Sequence, residues 1–361
     1  MNLKTSHSDI SRHEGCTIQG ALSITAFVDD AITIIHGPSG CTHQSSAFFY
    51  SALMYNGYFD IPFILSSEIN ENDIIFGGEK KLAEAIEKAL TYNPKAVFVL
   101  GTCVSATIGD SIEEVCREYT DIPVIPVNTA GFLGGSFTSG FEEALLAVSA
   151  LIAEDENAIL KKTKKQSKTK IPSVNIIGEK NLESDIDENY AEVKRLLKLL
   201  NVGINMRLAR HTSVSDIQNM KSADLNIFRE KFPDTITDHF TQKTGLKYIE
   251  EFPAGFTGSI EFIKKVAEKL DLNPGYALAE ERKYQQSIIE EFSDIKGRTI
   301  NFDSFGFQNA DYDILNEMSE YFGIKVDDDG TEIPIPFSAP VGSTGIKRML
   351  HQWRRFLRHA E

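Results

Sequence analysis

Two short runs in the first third of the chain limit most sharply what it can fold into. Residues 31–37, AITIIHG, and 96–103, AVFVLGTC, are almost wholly apolar and rich in Val and Ile. Each is too short for a helix and lacks the alternation of a strand with one wet face. Both fit parallel strands covered on two sides. Helical patterns are interleaved with them, EKKLAEAIEKAL over 79–90 and GDSIEEVCREY over 109–119. IPVIPVNT at 122–129 reads as a third strand, and GFEEALLAVSALIAE at 140–154 as the helix that leaves it. Strand, loop and helix in this repeated order predict an α/β domain over 1–160, built on a doubly wound, Rossmann-like parallel sheet.

KKTKKQSKTK at 161–170 has no aliphatic side chain and reads as a solvated linker. A second α/β domain is expected over 171–275, from IPSVNIIGE through the helix NYAEVKRLLKLL, the segment VGINMRLAR, the helix SVSDIQNMKSA and the strand DLNIFRE to the helix SIEFIKKVAEKL. Residues 276–361 hold GRTINFDSF, YDILNEMSEYFG and TGIKRMLHQWRRFLRHA, which suggests a small, abbreviated third domain.

The net charge of -15 disfavours nucleic acid or an anionic membrane as the main partner. No apolar stretch approaches the roughly 20 residues that cross a bilayer, and the first residues lack the apolar core of a signal peptide. A cytoplasmic protein is expected. Cys16, Cys41, Cys103 and Cys116 all fall in the first third of 361 residues, which is not how a disulfide-stapled scaffold looks and points to metal or redox chemistry.

Ligands of open parallel sheets sit outside the carboxyl ends of the strands. Cys41 and Cys103 follow two such strands, and Cys16 precedes the first expected helix. Gly37 and Gly40, with Gly134 and Gly135 in AGFLGGSF, suit a backbone that comes close to a bound group. Cys116 falls among Ile112 and Val115 on the apolar side of a helix and reads as core. Three accounts of Cys41 stand side by side: a small buried side chain, a nucleophile using His36 or His43 as base, and a cluster ligand. HGPSGCTHQ at 36–44 lacks the Lys-Ser/Thr ending of a phosphate loop. Glu79 and Asp110 each stand at the start of a helix, where Asp110 is expected to cap its own.

The strings HGPSGC, INENDIIFGGEKKLAEAI, VLGTCVSATIGDSIEEV and VNTAGFLGGSFTSGFEEALLAV, taken in this order, resemble component 1 of nitrogenase and its relatives. That family includes cofactor scaffolds, the dark-operative protochlorophyllide reductase and the reductive cyclase of coenzyme F430 synthesis, the last being nearest in length. The resemblance covers the first domain and continues more loosely through NIIGEKNLESD and SVSDIQNMKSADLNIF. It implies an iron–sulfur cluster at a subunit interface, to which each subunit gives three cysteines, here Cys16, Cys41 and Cys103; for the three thiols of one chain the expected cofactor is of the 4Fe-4S type.

The resemblance further implies a homodimer or a heterodimer with a related subunit, and an ATP-dependent iron–sulfur reductase as electron donor. The expected function is an oxidoreductase that reduces a cleft-bound substrate such as a tetrapyrrole. The alternative is a scaffold or carrier in iron–sulfur or metallocofactor assembly, with a precursor as its cargo. His211 and His239 are the candidate proton donors. The chain departs from nitrogenase proper in having no cysteine after Cys116, in particular none around LNIFREKFPDTITDHF, where the anchor of the large cofactor is expected. SAFFYSALMYNGYF, after Cys41, fits either a contact surface for the second subunit or a helix buried on its own sheet.

Overall fold

The computed structural model describes residues 15–153, 171–303, 313–334 and 340–359. Its first sheet is built as the apolar runs require. Strand β1 (Ala31–His36) lies between β2 (Ile64–Ser66) and β3 (Ala96–Gly101), and β4 (Val124–Asn128) flanks β3. All three pairings are parallel. Helices α1 (Thr17–Thr25), α2 (Ser39–Tyr55), α3 (Glu71–Phe76), α4 (Glu79–Leu90), α5 (Cys103–Ile108), α6 (Ile112–Arg117) and α7 (Phe137–Ser149) complete this part.

The alternation of side chains along a strand explains why these strands have no polar face. Ile32, Ile34, Val97 and Val99 pack with Leu82, Ile86 and Ala89 of α4. Ile35, Phe98 and Leu100 point into a second core with Leu22 of α1 and Leu145 and Val148 of α7. Burial of one such large side chain contributes roughly 1.5–3 kcal/mol. Helices α1 and α7 meet backbone to backbone. A Cβ on Gly20 would stand 1.9 Å from the Phe137 carbonyl oxygen, and one on Gly140 would stand 1.9 Å from that of Thr17. Only glycine permits this crossing, and the crossing fixes the N-terminus of α1, where Cys16 sits.

The second sheet comprises β5 (Ser173–Ile177), β6 (Gly203–Leu208), β7 (Leu225–Phe228) and β8 (Lys247–Ile249), in the order β6-β5-β7-β8, with β5 and β7 parallel. The segment SVSDIQNMKSA forms only a short helix (Val214–Gln218) and a 3-10 turn (Met220–Ser222). A third, parallel sheet joins Thr299–Asp303 to Lys325–Val326 and Thr331–Pro334. Among the described residues no helix is long and apolar enough to cross a membrane.

The described residues form two compact units, one drawn from 9–186 with 204–248, the other from 187–203 with 249–361. The second unit takes in two helices that the sequence groups with the middle of the chain. Helix Gly255–Lys269 buries Phe256 with Ile288, Phe292 and Trp353. Glu192, on helix Ile186–Leu199, is buried and accepts the Thr344 N–H at 3.1 Å and the Arg195 Nε–H at 2.7 Å. A buried carboxylate needs such partners, and the free N–H groups at the start of helix Gly342–His359 supply one.

Candidate metal-cluster site

Register places the two strand-end cysteines side by side. His36 pairs with Gly101, so β1 and β3 end level and their turns leave together. Cys41 lies in the first turn of α2, Cys103 is the first residue of α5, and Cys16 is the N-cap of α1. Three helix N-termini therefore present the three thiols. The Thr102 side chain, which caps α5 by accepting from Ser105 N–H, would be 2.3 Å from a Cβ on Gly37. The Cys41 turn thus rests directly on the Cys103 turn, and residue 37 has to be glycine.

Gly135 and Gly131 play the same part beside Cys16, closing over Thr17, whose Oγ1 would lie 2.7 Å and 2.4 Å from their added Cβ atoms. Gly40 and Gly134 have open space where a side chain would go, and Gly134 has a left-handed backbone, φ +99°.

Cys16 is exposed, and Cys41 and Cys103 are half-buried. Burial pushes the Cys41 thiol up, and Cys16 and Cys103 add to the shift. Cys41 thus has both other thiols as electrostatic neighbours, and thiolates held side by side repel, a cost that a cationic iron core would offset. Cys116 is different: it is 2% exposed, and burial followed by Glu113 pushes its thiol up to about 12. It is a core residue, as its helical position implies. Among the described residues no group of three His, Cys, Asp or Glu side chains is set to hold a single metal ion. A cluster of several irons spreads its thiolates wider than one ion does, and soft thiolates at three converging helix ends are the donors such a cluster takes.

The structure removes the histidine bases from the nucleophile account of Cys41. His36 is fully buried, with Nδ1 2.9 Å from Ser67 Oγ and Nε2 2.9 Å from Asp110 Oδ2. His43 is exposed two positions along α2 from Cys41, and such neighbours do not share a helix face. Asp110 does not cap α6. It accepts the Gly78 N–H at 2.8 Å, at the start of α4, while Glu79 accepts the Ser111 N–H at 3.0 Å, at the start of α6. The two acids exchange caps across the sheet edge, an arrangement invisible to a reading confined to sequence neighbours. Ser67 carried no signal in the sequence.

His211 and His239 are not brought to this edge. His211 is exposed, has φ +51°, and is felt by Asp29, just before β1. That is the amino end of the strand whose carboxyl end leads to Cys41. His239 bonds Ser149 Oγ at 2.7 Å, at the C-terminus of α7, and burial and Lys243 hold its pKa low.

Helices α2 and α3 both leave apolar side chains bare. Helix α3 buries no residue and exposes Ile74, Ile75 (72%) and Phe76 (85%). Helix α2 buries Phe49 and Leu53 but leaves Tyr50, Met54 and Tyr55 exposed, so one face is core and the other is bare.

The carboxyl edge of the second sheet has other chemistry. Glu179, after β5, is buried and accepts from Arg207 Nε at 2.8 Å, and Arg229, directly after β7, is buried against Glu183. Asn181 donates to the carbonyls of Ser23 and Ala209. Arginine cannot shed its proton to bind a metal. A large metallocofactor anchored there by a thiolate does not fit these residues.

The parallel sheets covered by helices make this a mixed α/β protein. The chain matches the family described as nitrogenase component 1 type oxidoreductase over residues 16–326, and it belongs to that family. It is 29% identical over 294 residues to the nitrogenase iron-molybdenum cofactor biosynthesis protein NifE of Clostridium pasteurianum, covering 78% of this chain and 61% of the relative. It is 32% identical over 265 residues to NifE of a Nostoc species (71% and 51%). The nitrogenase molybdenum-iron protein alpha chain of Methanosarcina barkeri is 26% identical over 334 residues (88% and 59%). The solved structure titled "Nitrogenase Cp1 at pH 5" shares the fold, with a TM-score of 0.65 at 24% identity over 92% of this chain and 69% of that one. The chain spans about half to three-fifths of the length of the curated relatives it matches.

Proposed function

We propose that this chain is a cluster-bearing subunit of a nitrogenase-like reductase, and that it takes electrons from an ATP-dependent iron–sulfur reductase to reduce a cleft-bound substrate, with a tetrapyrrole as the class to test first. What supports this reading is that Cys16, Cys41 and Cys103 each stand at a helix N-terminus, with Cys41 and Cys103 after neighbouring parallel strands and both Cys16 and Cys103 electrostatic neighbours of Cys41. A 4Fe-4S type cluster bound there supplies one-electron storage and transfer. Cys16, Cys41 and Cys103 hold it, Gly37 and Gly135 let the backbone close around it, and Gly40 and Gly134 leave room beside it. The site lies within the compact unit drawn from 9–186 with 204–248.

Three thiolates leave a four-iron cluster short of a protein ligand, and a second subunit completes the set. The bare face of α2 is the surface we assign to that subunit, in a homodimer or a heterodimer. The bare turn Ile74–Phe76 is assigned to the electron donor. A cytoplasmic location follows from this partnership.

The second reading, a scaffold or carrier for metallocofactor assembly, is favoured by the NifE relatives. The arginine-filled edge of the second sheet supports the reductase instead, because a carrier of a large precursor needs ligands for it. Anaerobic protein mixed with a nitrogenase-type reductase, ATP and a strong reductant tests the choice. Oxidation of the chain's own cluster by an added tetrapyrrole, read from visible absorbance, is the expected result. A cluster that is reduced by the partner but passes intact to an acceptor apoprotein, with no substrate turnover, replaces the reductase with the carrier.

A further inference from the structure

The carboxyl edge of the first sheet carries a buried hydrogen-bond chain that the proposed function leaves unused. His36 lies at its centre, with Ser67 on Nδ1 and Asp110 on Nε2. Both ends of the chain are backbone groups. Gly37 N–H donates to Ser67 Oγ at 3.0 Å, and Gly78 N–H donates to Asp110 Oδ1 at 2.8 Å. The His36 carbonyl accepts from Thr102 N–H at 3.1 Å, and Asp110 N–H reaches Ser105 O at 3.1 Å. One imidazole is thereby tied to the turn before Cys41, to the cap of the helix that begins with Cys103, and to the Gly77–Gly78 turn behind Ile74–Phe76.

The bonding pattern assigns the proton. A carboxylate only accepts, so Nε2 carries the hydrogen given to Asp110, and Nδ1 accepts from the Ser67 hydroxyl, which accepts from Gly37 in turn. Every donor and acceptor is used when the ring is neutral. The charged groups felt by the ring are Asp110, Glu79 and Asp73, and its burial outweighs all three in keeping it neutral. A proton on Nδ1 reverses the bond to Ser67 and takes away the hydroxyl's acceptor. The order Ser-His-Asp is that of a nucleophilic triad, but Ser67 is buried and its oxygen already holds the Gly37 N–H.

We infer that the Ser67–His36–Asp110 chain is a proton-sensitive positioning device, which holds the Cys41 and Cys103 turns in cluster-binding register while the imidazole is neutral and loosens that hold when it gains a proton. The inference rests on the proposed cluster for its purpose and on the turns alone for its geometry.

Its test uses the full chain in two states. In the first, the protein is reconstituted anaerobically with ferrous iron and sulfide, and bound iron and midpoint potential are followed from about pH 8 to pH 5, across and below the ordinary histidine pKa of about 6.5. Wild type is expected to lose about half its iron or shift its potential over the acid part of that range. His36→Gln keeps both side-chain bonds through its amide without titrating, and is expected to match wild type at neutral pH and stay flat below it. Ser67→Ala removes the bond that reverses and is expected to flatten the profile likewise. In the second state, a short bifunctional thiol reagent bridges Cys41 and Cys103 in metal-free protein, and the ratio of wild type to His36→Gln is expected to fall about twofold or more on acidification.

A wild type that binds no iron but keeps this ratio change sinks the cluster and leaves the device standing. Parallel pH profiles for wild type and His36→Gln in bridging, whatever the iron does, overturn the device.

Discussion

The carboxyl edges of the first and second sheets are built alike and filled differently. Both follow parallel strands, β1 and β3 in one, β5 and β7 in the other. The first edge presents Cys41 and Cys103 on helix N-termini, half-open, with glycine where the turns touch. The second presents Arg207 and Arg229, both buried and matched to Glu179 and Glu183. The architecture supplies a place where side chains from distant strands converge. Whether that place takes a metal or closes on itself depends on whether the convergent groups can donate electrons or must find a countercharge.

The comparison breaks most readily at the thiols. Cys16→Ala, Cys41→Ala and Cys103→Ala are each expected to remove most of the iron and acid-labile sulfide of anaerobic protein, and Cys116→Ala to leave it. Equal retention in all four, by colorimetric iron assay, ends the distinction between the edges. At the second edge the expected loss is of stability, not iron. Arg207→Met strands the buried Glu179 carboxylate, and loss of one partner from a buried pair costs roughly 3–5 kcal/mol. Urea unfolding measures it, and an unchanged midpoint contradicts the structural role assigned to that edge.

A clash at the crossing that seats Cys16 ranks next. Gly140→Val puts a side chain where the Thr17 carbonyl lies and is expected to cost about 3 kcal/mol, at the upper end of overpacking. Iron loss accompanying it at temperatures where the fold persists shows that the crossing, and not the thiol alone, positions Cys16.

Two smaller effects sharpen the contrast. Burial by itself raises the Glu192 carboxyl, but Arg195 and Thr344 outweigh it and hold the group below its ordinary 4.5. Its contribution is therefore complete above the unfolded value and fades as pH falls through the lower folded one. Glu192→Gln is expected to flatten the acid limb of stability, and a limb unaltered by the change contradicts this. With iodoacetamide at about pH 8, Cys16 is expected to react first because it is exposed, and Cys116 only on unfolding, since it is buried and burial pushes its thiol up to about 12. Early alkylation of Cys116 in native protein, located by peptide mass, goes against its place in the core.

Much of this was legible in the residue string because it depends on local pattern. Uninterrupted apolar runs such as AITIIH specify strands covered on both faces, and Cys116 is marked as core by its helical neighbours. That Cys41 and Cys103 follow such strands is enough to place them at one edge, since parallel strands end on the same side. What the sequence withheld lies in pairs far apart along the chain. Asp110 serves the helix that begins with Glu79, and Ser67 completes the bonding of His36. Helix Ile186–Leu199 joins the C-terminal core through Glu192. His211 falls at the amino edge of the sheet whose carboxyl edge carries the cysteines. Local pattern decides which elements form, because helix and strand repeat within a few residues. The partners of a buried charge or imidazole are decided only when folding removes water and leaves each group to find the nearest donor or acceptor, wherever the chain has brought it.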